Sequence, residues 1–179
     1  MMSFVRPAPP VCMYPDGDGQ ASKPTGGRAH TACFSGHRTV AADDAAPLAA
    51  SIRRTVEGLA ARGITRFCAG GAQGFDMLAA LVVLETPGTS LTLILPCREQ
   101  TSRWQPDDVG FYDEVLGRAH EVIYTADSYS AGCYHLRNRR LVEVSSVLVC
   151  YFTGKPGGTA YTVDYAKKNH LEIINLAGG

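Results

Sequence analysis

The stretch Val147-Leu148-Val149-Cys150-Tyr151-Phe152 is followed by Lys155-Pro156-Gly157-Gly158-Thr159 and then by a helical pattern that runs to Asn169. The first stretch is continuously apolar and rich in strand-forming residues, so it predicts a buried strand. Glycines in the turn allow backbone N–H groups to approach an anion, and the first N–H groups of the next helix lack partners within the helix. The stretch therefore predicts either a phosphate site or a tight strand-to-helix turn without a ligand.

The same alternation of apolar strands and amphipathic helices continues along the chain. Predicted strands cover residues 30–35, 64–69, 91–95, 121–124, 147–152 and 171–176, and predicted helices cover residues 44–62, 77–85, 106–118, 133–145 and 159–169. Alternating elements of this kind predict an α/β fold with a mostly parallel sheet of about six strands, covered by helices on both faces. Residues 1–29 are rich in Pro, Gly, Asp and Ser and predict a flexible N-terminal tail, which leaves one domain over residues 30–179.

Composition limits the kinds of binding partner and the cellular compartment that we expect for this protein. Lys plus Arg and Asp plus Glu each number 17, so the net charge is zero. Proteins that bind nucleic acid by neutralising phosphates are usually more basic, so nucleic acid is not the expected partner. The longest apolar runs are far shorter than the roughly 20 residues of a membrane span, and the N-terminus lacks a signal-peptide pattern. The six cysteines include no C-x-x-C pair, which favours reduced, buried thiols in a cytoplasmic protein over disulfides or a metal site.

Unusual clusters of residues follow the predicted strands. Ser35-Gly36-His37-Arg38 follows the first strand, Gly70-Gly71-Ala72-Gln73-Gly74-Phe75-Asp76 follows the second, and the stretch from Pro96 to Trp104 follows the third. In an open parallel sheet, ligands bind outside the carboxyl ends of the strands, where the strand order reverses. These clusters therefore predict a shared site for an anionic ligand, most simply a nucleotide.

Individual residues suggest roles in ligand binding, and some of them have a purely structural role as the alternative. Asp76 would repel a phosphate, so we expect it either to accept a hydrogen bond from a ribose hydroxyl or base, or to cap a helix. Arg137 and Asn138 lie in the first half of a helix, where arginine opposes the helix dipole, so we expect Arg137 to reach an anion. Tyr134 and Trp104 can stack on a base or belong to the core.

No nucleophile, base and acid set stands out, so no residue is assigned a catalytic role, and no cofactor is predicted apart from a nucleotide-type ligand. The predicted ligand-binding residues are Ser35, Gly36, His37, Arg38, Gly70, Gly71, Ala72, Gly74, Asp76, Pro96, Gln100, Trp104, Tyr134, Arg137, Asn138, Gly157, Gly158 and Thr159.

The order and spacing of five motifs over residues 30–176 resemble the YpsA-like branch of the SLOG superfamily. The motifs are Ser35-Gly36-His37-Arg38, Gly70 to Asp76, Leu95-Pro96-Cys97-Arg98-Glu99-Gln100 with Trp104, Tyr134 to Arg139, and Gly157-Gly158-Thr159 with Ala166. The resemblance implies a Rossmann-like three-layer fold and a nucleotide or nucleotide-derived ligand. Relatives in the superfamily include the LOG-type phosphoribohydrolases and the DNA-processing protein A family, which binds single-stranded DNA.

The LOG-type motif P-G-G-x-G-T-x-x-E is incomplete in this chain. Pro156-Gly157-Gly158 runs directly into Thr159, and Thr162 occupies the place of the glutamate, with Asp164 as a potential substitute. Without that carboxylate, acid–base help at an N-glycosidic bond is missing. The leading hypothesis is a nucleotide-binding sensor or regulatory protein without catalysis, in which the glycine-rich turns at Gly70-Gly71 and Gly157-Gly158-Thr159 hold phosphates. The alternatives are a nucleoside-monophosphate N-glycosidase and a single-stranded DNA binder. A homodimer is compatible with the sequence.

Overall fold

The computed structural model describes residues 11–13 and 27–178. The strands are β1 (Val11–Met13), β2 (Thr31–Gly36), β3 (Arg66–Ala69), β4 (Ser90–Leu95), β5 (Glu121–Tyr124), β6 (Val147–Tyr151) and β7 (Glu172–Asn175). The helices are α1 (Ala42–Ala61), α2 (Phe75–Glu85), α3 (Pro106–Arg118), α4 (Cys133–Glu143) and α5 (Gly158–Lys168). Two short 3-10 helices lie at Arg28–His30 and Arg98–Thr101.

All neighbouring strands run parallel, in the order β1-β5-β4-β3-β2-β6-β7. From β2 the chain moves outward through β3 and β4 to β5, and then returns to place β6 on the other side of β2. The strand order therefore reverses between β2 and β6, whose register pairs Gly36 with Tyr151 at their carboxyl ends. This is the point at which ligands bind in open α/β sheets.

Two separate hydrophobic clusters cover the two faces of the sheet. Ala32 and Phe34 of β2 pack with α1, α2 and α3, whereas Cys33 between them packs with α4 and α5. Successive side chains of a strand point to opposite faces, so a continuously apolar strand is buried on both sides. The predicted Rossmann-like three-layer arrangement is confirmed. Within the described ranges, no helix is both long and apolar enough to cross a membrane.

Several predicted boundaries hold and others shift. Helix α3 and strand β5 have the predicted bounds, and α2 begins two residues earlier than predicted because Gly74, at φ 75°, ends the preceding turn. The sheet has one strand more than the predicted number of about six. The additional strand is β1, which lies inside the segment predicted as a tail and pairs with β5 at one edge of the sheet. Residues 1–10 and 14–26 of that segment lie outside the described residues, whereas Arg28 begins a 3-10 helix and its side chain donates to the Ser145 and Asn169 carbonyls.

Candidate functional site

A cavity of about 300 Å³ opens where the strand order reverses. It collects residues from the turns after β2, β3 and β6 and from helix α4. Its walls are formed by Ser35, Gly36, His37, Arg38, Ala72, Asp76, Tyr134, Arg137, Asn138, Lys155, Pro156, Gly157, Gly158 and Thr159. Most of the predicted ligand-binding residues therefore meet in one place, although they are spread over more than a hundred positions of the sequence. We call this space the glycine cavity.

The N-terminus of α5 forms one wall of the glycine cavity. Its N-cap is Gly157, whose φ of 142° is accessible to glycine but rarely to other residues, and no side-chain hydrogen bond caps the helix there. A Cβ on Gly158 would meet only Asn138 Nδ2, at an ordinary contact distance of 3.7 Å, so the space beside this glycine is largely open. Uncapped N–H groups and the positive end of the helix dipole make this wall suited to an anion.

Arg137 lines the same cavity and is 5% exposed. Its Nη1 donates a hydrogen bond to the Gly70 carbonyl, and its Nε donates to Asn138 Oδ1 at 2.7 Å. The other N–H groups of the guanidinium have no protein acceptor among the described residues. Asn138 Nδ2 in turn lies 3.5 Å from the Gly158 carbonyl, which links Arg137 to the start of α5. The site thus contains a buried cation with unused donors.

Asp76 is 4% exposed, and burial raises its pKa to about 6. The positive charge of Arg137 opposes this rise, as do the backbone N–H groups of Ala72, Gly36 and Gly70. In the reverse direction, burial lowers the pKa of Arg137 and the carboxylate of Asp76 partly restores it. The polar neighbours of Asp76 belong to segments outside α2, and α2 has no side-chain cap, so the alternative that Asp76 caps this helix is wrong.

The two glycine turns differ in what surrounds them. A Cβ on Gly70 would overlap the Arg137 guanidinium, one on Gly71 would lie 2.8 Å from Leu95 Cδ2, and one on Gly74 would collide with the Arg38 carbonyl. The Phe75 N–H already donates to the His37 carbonyl at 3.2 Å. The space beside the glycines after β3 is therefore filled by protein atoms, whereas the glycines after β6 border open space. Of the turn after β3, Ala72 and Asp76 line the glycine cavity.

His37 connects two of the loops around the glycine cavity. Its Nε2 accepts a hydrogen bond from the Thr153 backbone N–H at 3.1 Å and lies 2.9 Å from Thr153 Oγ1. Its ring also packs near the rings of Tyr151 and Phe152. Because this nitrogen is the acceptor for a backbone N–H group, the structure gives His37 the role of holding the turn after β2 against the turn after β6.

A second cavity, of about 490 Å³, adjoins the first and shares Arg38 and Tyr134 with it. Its walls are formed by Arg38, Gln73, Glu99, Gln100, Ser102, Arg103, Trp104, Tyr129 and Tyr134. We call it the aromatic cavity. It contains the predicted residues Gln100 and Trp104, which the glycine cavity does not. Pro96 lines neither cavity; its carbonyl accepts a hydrogen bond from Thr125 Oγ1 at 3.3 Å.

Some residues of the two cavities were not among the sequence predictions. Lys155 and Pro156 line the glycine cavity, and their position directly before Gly157 was a usable signal. Tyr129 and Arg103 line the aromatic cavity. Tyr129 stands in a polar loop without periodicity, so the sequence offered no pattern that would place it there. Among residues 11–13 and 27–178, no group of three or more His, Cys, Asp or Glu side chains is arranged to hold a metal ion.

Comparisons with known proteins agree with this architecture. A UPF0398 protein from Bacillus thuringiensis (strain Al Hakam) is 30% identical over 125 residues, which cover 66% of this chain and 68% of that protein. DNA processing protein A from Helicobacter pylori shares the fold with a TM-score of 0.63 and 16% identity, covering 81% of this chain and 64% of that one. The Streptococcus pneumoniae protein of the same name gives a TM-score of 0.64 and 14% identity, covering 83% and 50%.

This chain thus spans 64% and 50% of the two solved structures. At these identities the two structures support the fold alone. A family model described as the YspA SLOG family matches residues 39–175, which include all five helices and strands β3 to β7. The chain belongs to the YspA SLOG family, the branch of the SLOG superfamily that its motifs resemble.

Proposed function

We propose that this protein binds a nucleotide or nucleotide-derived ligand, with a phosphate of the ligand between the N-terminus of α5 and Arg137, and that it acts as a sensor or regulatory protein. The observation that carries the proposal is the state of Arg137. Its guanidinium is buried, yet the described protein atoms use only two of its donors. The Asp76 carboxylate balances part of this charge, and the donors that the protein leaves unused can bind a phosphate in the cavity.

The charges around the glycine cavity favour an anion. Arg38, Arg137 and Lys155 line it together with the positive end of α5, which is equivalent to about half a unit charge. Asp76 is the one carboxylate among the lining residues, and the nearby guanidinium and amides of the protein balance it. A phosphate can accept hydrogen bonds from a guanidinium and from helix N–H groups at the same time.

The arrangement near α5 supports binding more than hydrolysis. Thr162, at the place of the LOG-type glutamate, is fully buried and its Oγ1 donates to the Gly158 carbonyl at 2.9 Å. Asp164, the potential substitute, is exposed and is not among the residues that line the glycine cavity. Asp76 is the remaining candidate acid for an N-glycosidase. Incubation with nucleoside monophosphates should therefore release no free base; base release that Asp76→Asn abolishes would favour the enzyme alternative instead.

Single-stranded DNA remains a ligand to be tested, because DNA processing protein A from H. pylori binds it. The zero net charge of this chain gives no electrostatic reason to expect tight binding to a polyanion. We therefore expect a short oligonucleotide to bind no more tightly than a single nucleotide. Tighter binding that weakens steeply as salt is raised would favour the DNA alternative.

The direct test is a thermal-denaturation screen against AMP, ADP, ATP, cyclic nucleotides, dinucleotides, NAD, ADP-ribose, cytokinin-type monophosphates and inorganic phosphate. A ligand that binds the folded state alone adds about 2.7 kcal/mol of stability at a hundred times its Kd. We expect at least one nucleotide to raise the melting temperature. If no compound of the panel shifts the melting of folded protein, the proposal is wrong and the glycine cavity has only a structural role.

A further inference from the structure

The aromatic cavity has a composition different from that of the glycine cavity. Three aromatic residues line the aromatic cavity, together with two arginines: Trp104, Tyr129, Tyr134, Arg38 and Arg103. Tyr129 is 66% exposed, and its ring lies 6.4 Å from that of Tyr134 between centroids. A large exposed aromatic ring beside a cavity presents a flat face on which another planar group can stack.

Contacts with neighbouring segments hold parts of this aromatic wall in place. The backbone N–H of Tyr129 donates to Glu99 Oε2 at 3.1 Å, which ties the loop between β5 and α4 to the 3-10 helix after β4. Trp104 packs edge-on against Tyr112 of α3, with ring centroids 5.5 Å apart. Trp104 and the backbone of Tyr129 are therefore held by the scaffold, which lowers the cost of ordering this wall around a ligand ring.

Gln100 adds a polar group to the same cavity. It is 6% exposed, and its Nε2 donates to the Gly71 carbonyl at 2.5 Å, whereas its Oε1 has no hydrogen-bond partner among the described atoms. A buried amide oxygen without a partner is uncommon in a folded protein. A nucleobase carries N–H donors of the kind that such an oxygen accepts.

The two cavities adjoin each other. Arg38 and Tyr134 belong to both walls, and the Arg38 guanidinium lies over the Tyr134 ring at 5.6 Å from its centroid. Each volume lies within the range of about 300–1,000 Å³ that is typical of small-molecule sites. A ligand that fills the glycine cavity with a phosphate would extend past Tyr134 into the aromatic cavity.

We infer that the ligand binds in a fixed direction, with its phosphate in the glycine cavity and its heterocyclic base in the aromatic cavity beside Tyr129, Tyr134 and Trp104. This inference rests on the proposed function and adds to it the site of the base. It makes the ligand class a base-bearing phosphate compound rather than a simple sugar phosphate. Arg38, which lies between the two cavities, is then close to the sugar or the second phosphate.

The test compares two ligands on three variants. The ligands are the nucleotide that shifts melting most strongly and ribose 5-phosphate, which lacks a base. The variants are Tyr129→Ala in the aromatic cavity, Gly158→Asp in the glycine cavity and Phe111→Ala as a matched control, because Phe111 is also an exposed aromatic residue (37%) but lines neither cavity. Calorimetric titration gives Kd for each pair.

We expect Tyr129→Ala to weaken nucleotide binding about tenfold, the loss of one base–aromatic stack, and to leave ribose 5-phosphate binding unchanged. Phe111→Ala should change neither, and Gly158→Asp should weaken both. If Tyr129→Ala leaves nucleotide affinity unchanged, or if wild-type protein binds ribose 5-phosphate as tightly as the nucleotide, the base site is wrong although the phosphate site stands. If Gly158→Asp binds both ligands like wild type, the phosphate site itself is wrong.

Discussion

The Arg137 guanidinium occupies the space that a side chain on Gly70 would need. Nη1 of Arg137 donates to the Gly70 carbonyl, and a Cβ on Gly70 would overlap the same nitrogen. Gly70 directly follows β3 and Arg137 lies on α4, so the glycine after β3 fixes the position of the cation that lines the glycine cavity. The glycine is therefore required for packing against the arginine side chain.

Gly70→Ala should displace Arg137 and lower the free energy of unfolding by about 1–3 kcal/mol, the usual cost of overpacking. The same variant should weaken nucleotide binding, since the cation moves. Chemical denaturation and calorimetry measure the two effects. Gly58→Ala is the matched control: Gly58 lies on α1 with no atom within 4 Å of a built Cβ, so alanine there should stabilise the protein by about 0.5–1 kcal/mol. A Gly70→Ala variant as stable as wild type would contradict this packing role.

Asp76 should make the stability depend on pH between about 4 and 6. Its pKa is raised from 3.8 to about 6, so in this window the folded state holds a proton that the unfolded state has released. Its contribution to the free energy of unfolding is therefore greatest below pH 3.8, falls as pH rises to about 6 and is constant above. The fall is on the order of 3 kcal/mol for a shift of this size.

Asp76→Asn removes that titration, and its stability relative to wild type should therefore rise between pH 4 and pH 7. Urea denaturation of both proteins at the two pH values measures the difference, and subtraction removes the contribution of every other titrating group. Parallel stability curves for the two proteins would show that the pKa of Asp76 is not raised in the folded state.

His37→Phe should affect stability more than ligand affinity. Phenylalanine keeps a ring near Tyr151 and Phe152 but cannot accept the hydrogen bond from the Thr153 N–H group. We expect a loss of about 1 kcal/mol in the free energy of unfolding, the usual value of one such bond. Nucleotide affinity should change by less than about threefold, which corresponds to a binding free energy of about 0.7 kcal/mol. A variant of wild-type stability that no longer binds the ligand would instead give His37 a direct role in binding.

Local sequence patterns predicted the helices and strands. Their alternation along the chain predicted that the candidate site lies at the carboxyl ends of the strands. The predicted bounds of α3 and β5 match the observed ones, because the signals that begin and end a single helix or strand are local in the sequence. The two glycine turns looked alike in sequence. What separates them is the Arg137 side chain, 67 positions from Gly70, and a contact at that distance leaves no local pattern.

The aromatic cavity was only partly predictable for a similar reason. Gln100 and Trp104 follow a strand and could be assigned to its carboxyl end, whereas Tyr129 reaches the cavity through a loop held by Glu99. Loop positions depend on tertiary contacts rather than on periodicity. The strand β1 was missed because three residues are too short a run to show alternation, and its pairing with β5 becomes apparent only in the assembled sheet.

The affinity of Gly158→Asp for the nucleotide identified by the thermal screen decides whether a phosphate binds at the N-terminus of α5. An aspartate in the first turn of α5 favours the helix dipole by about 0.3–1 kcal/mol, and a Cβ at this position meets only ordinary contacts, so the variant should fold. Its carboxylate would stand where the phosphate is proposed to bind, and Kd should rise about tenfold or more. Gly58→Asp, the same substitution on an exposed position of α1, should bind like wild type. Unchanged affinity in Gly158→Asp would show that no phosphate of the ligand binds at the N-terminus of α5.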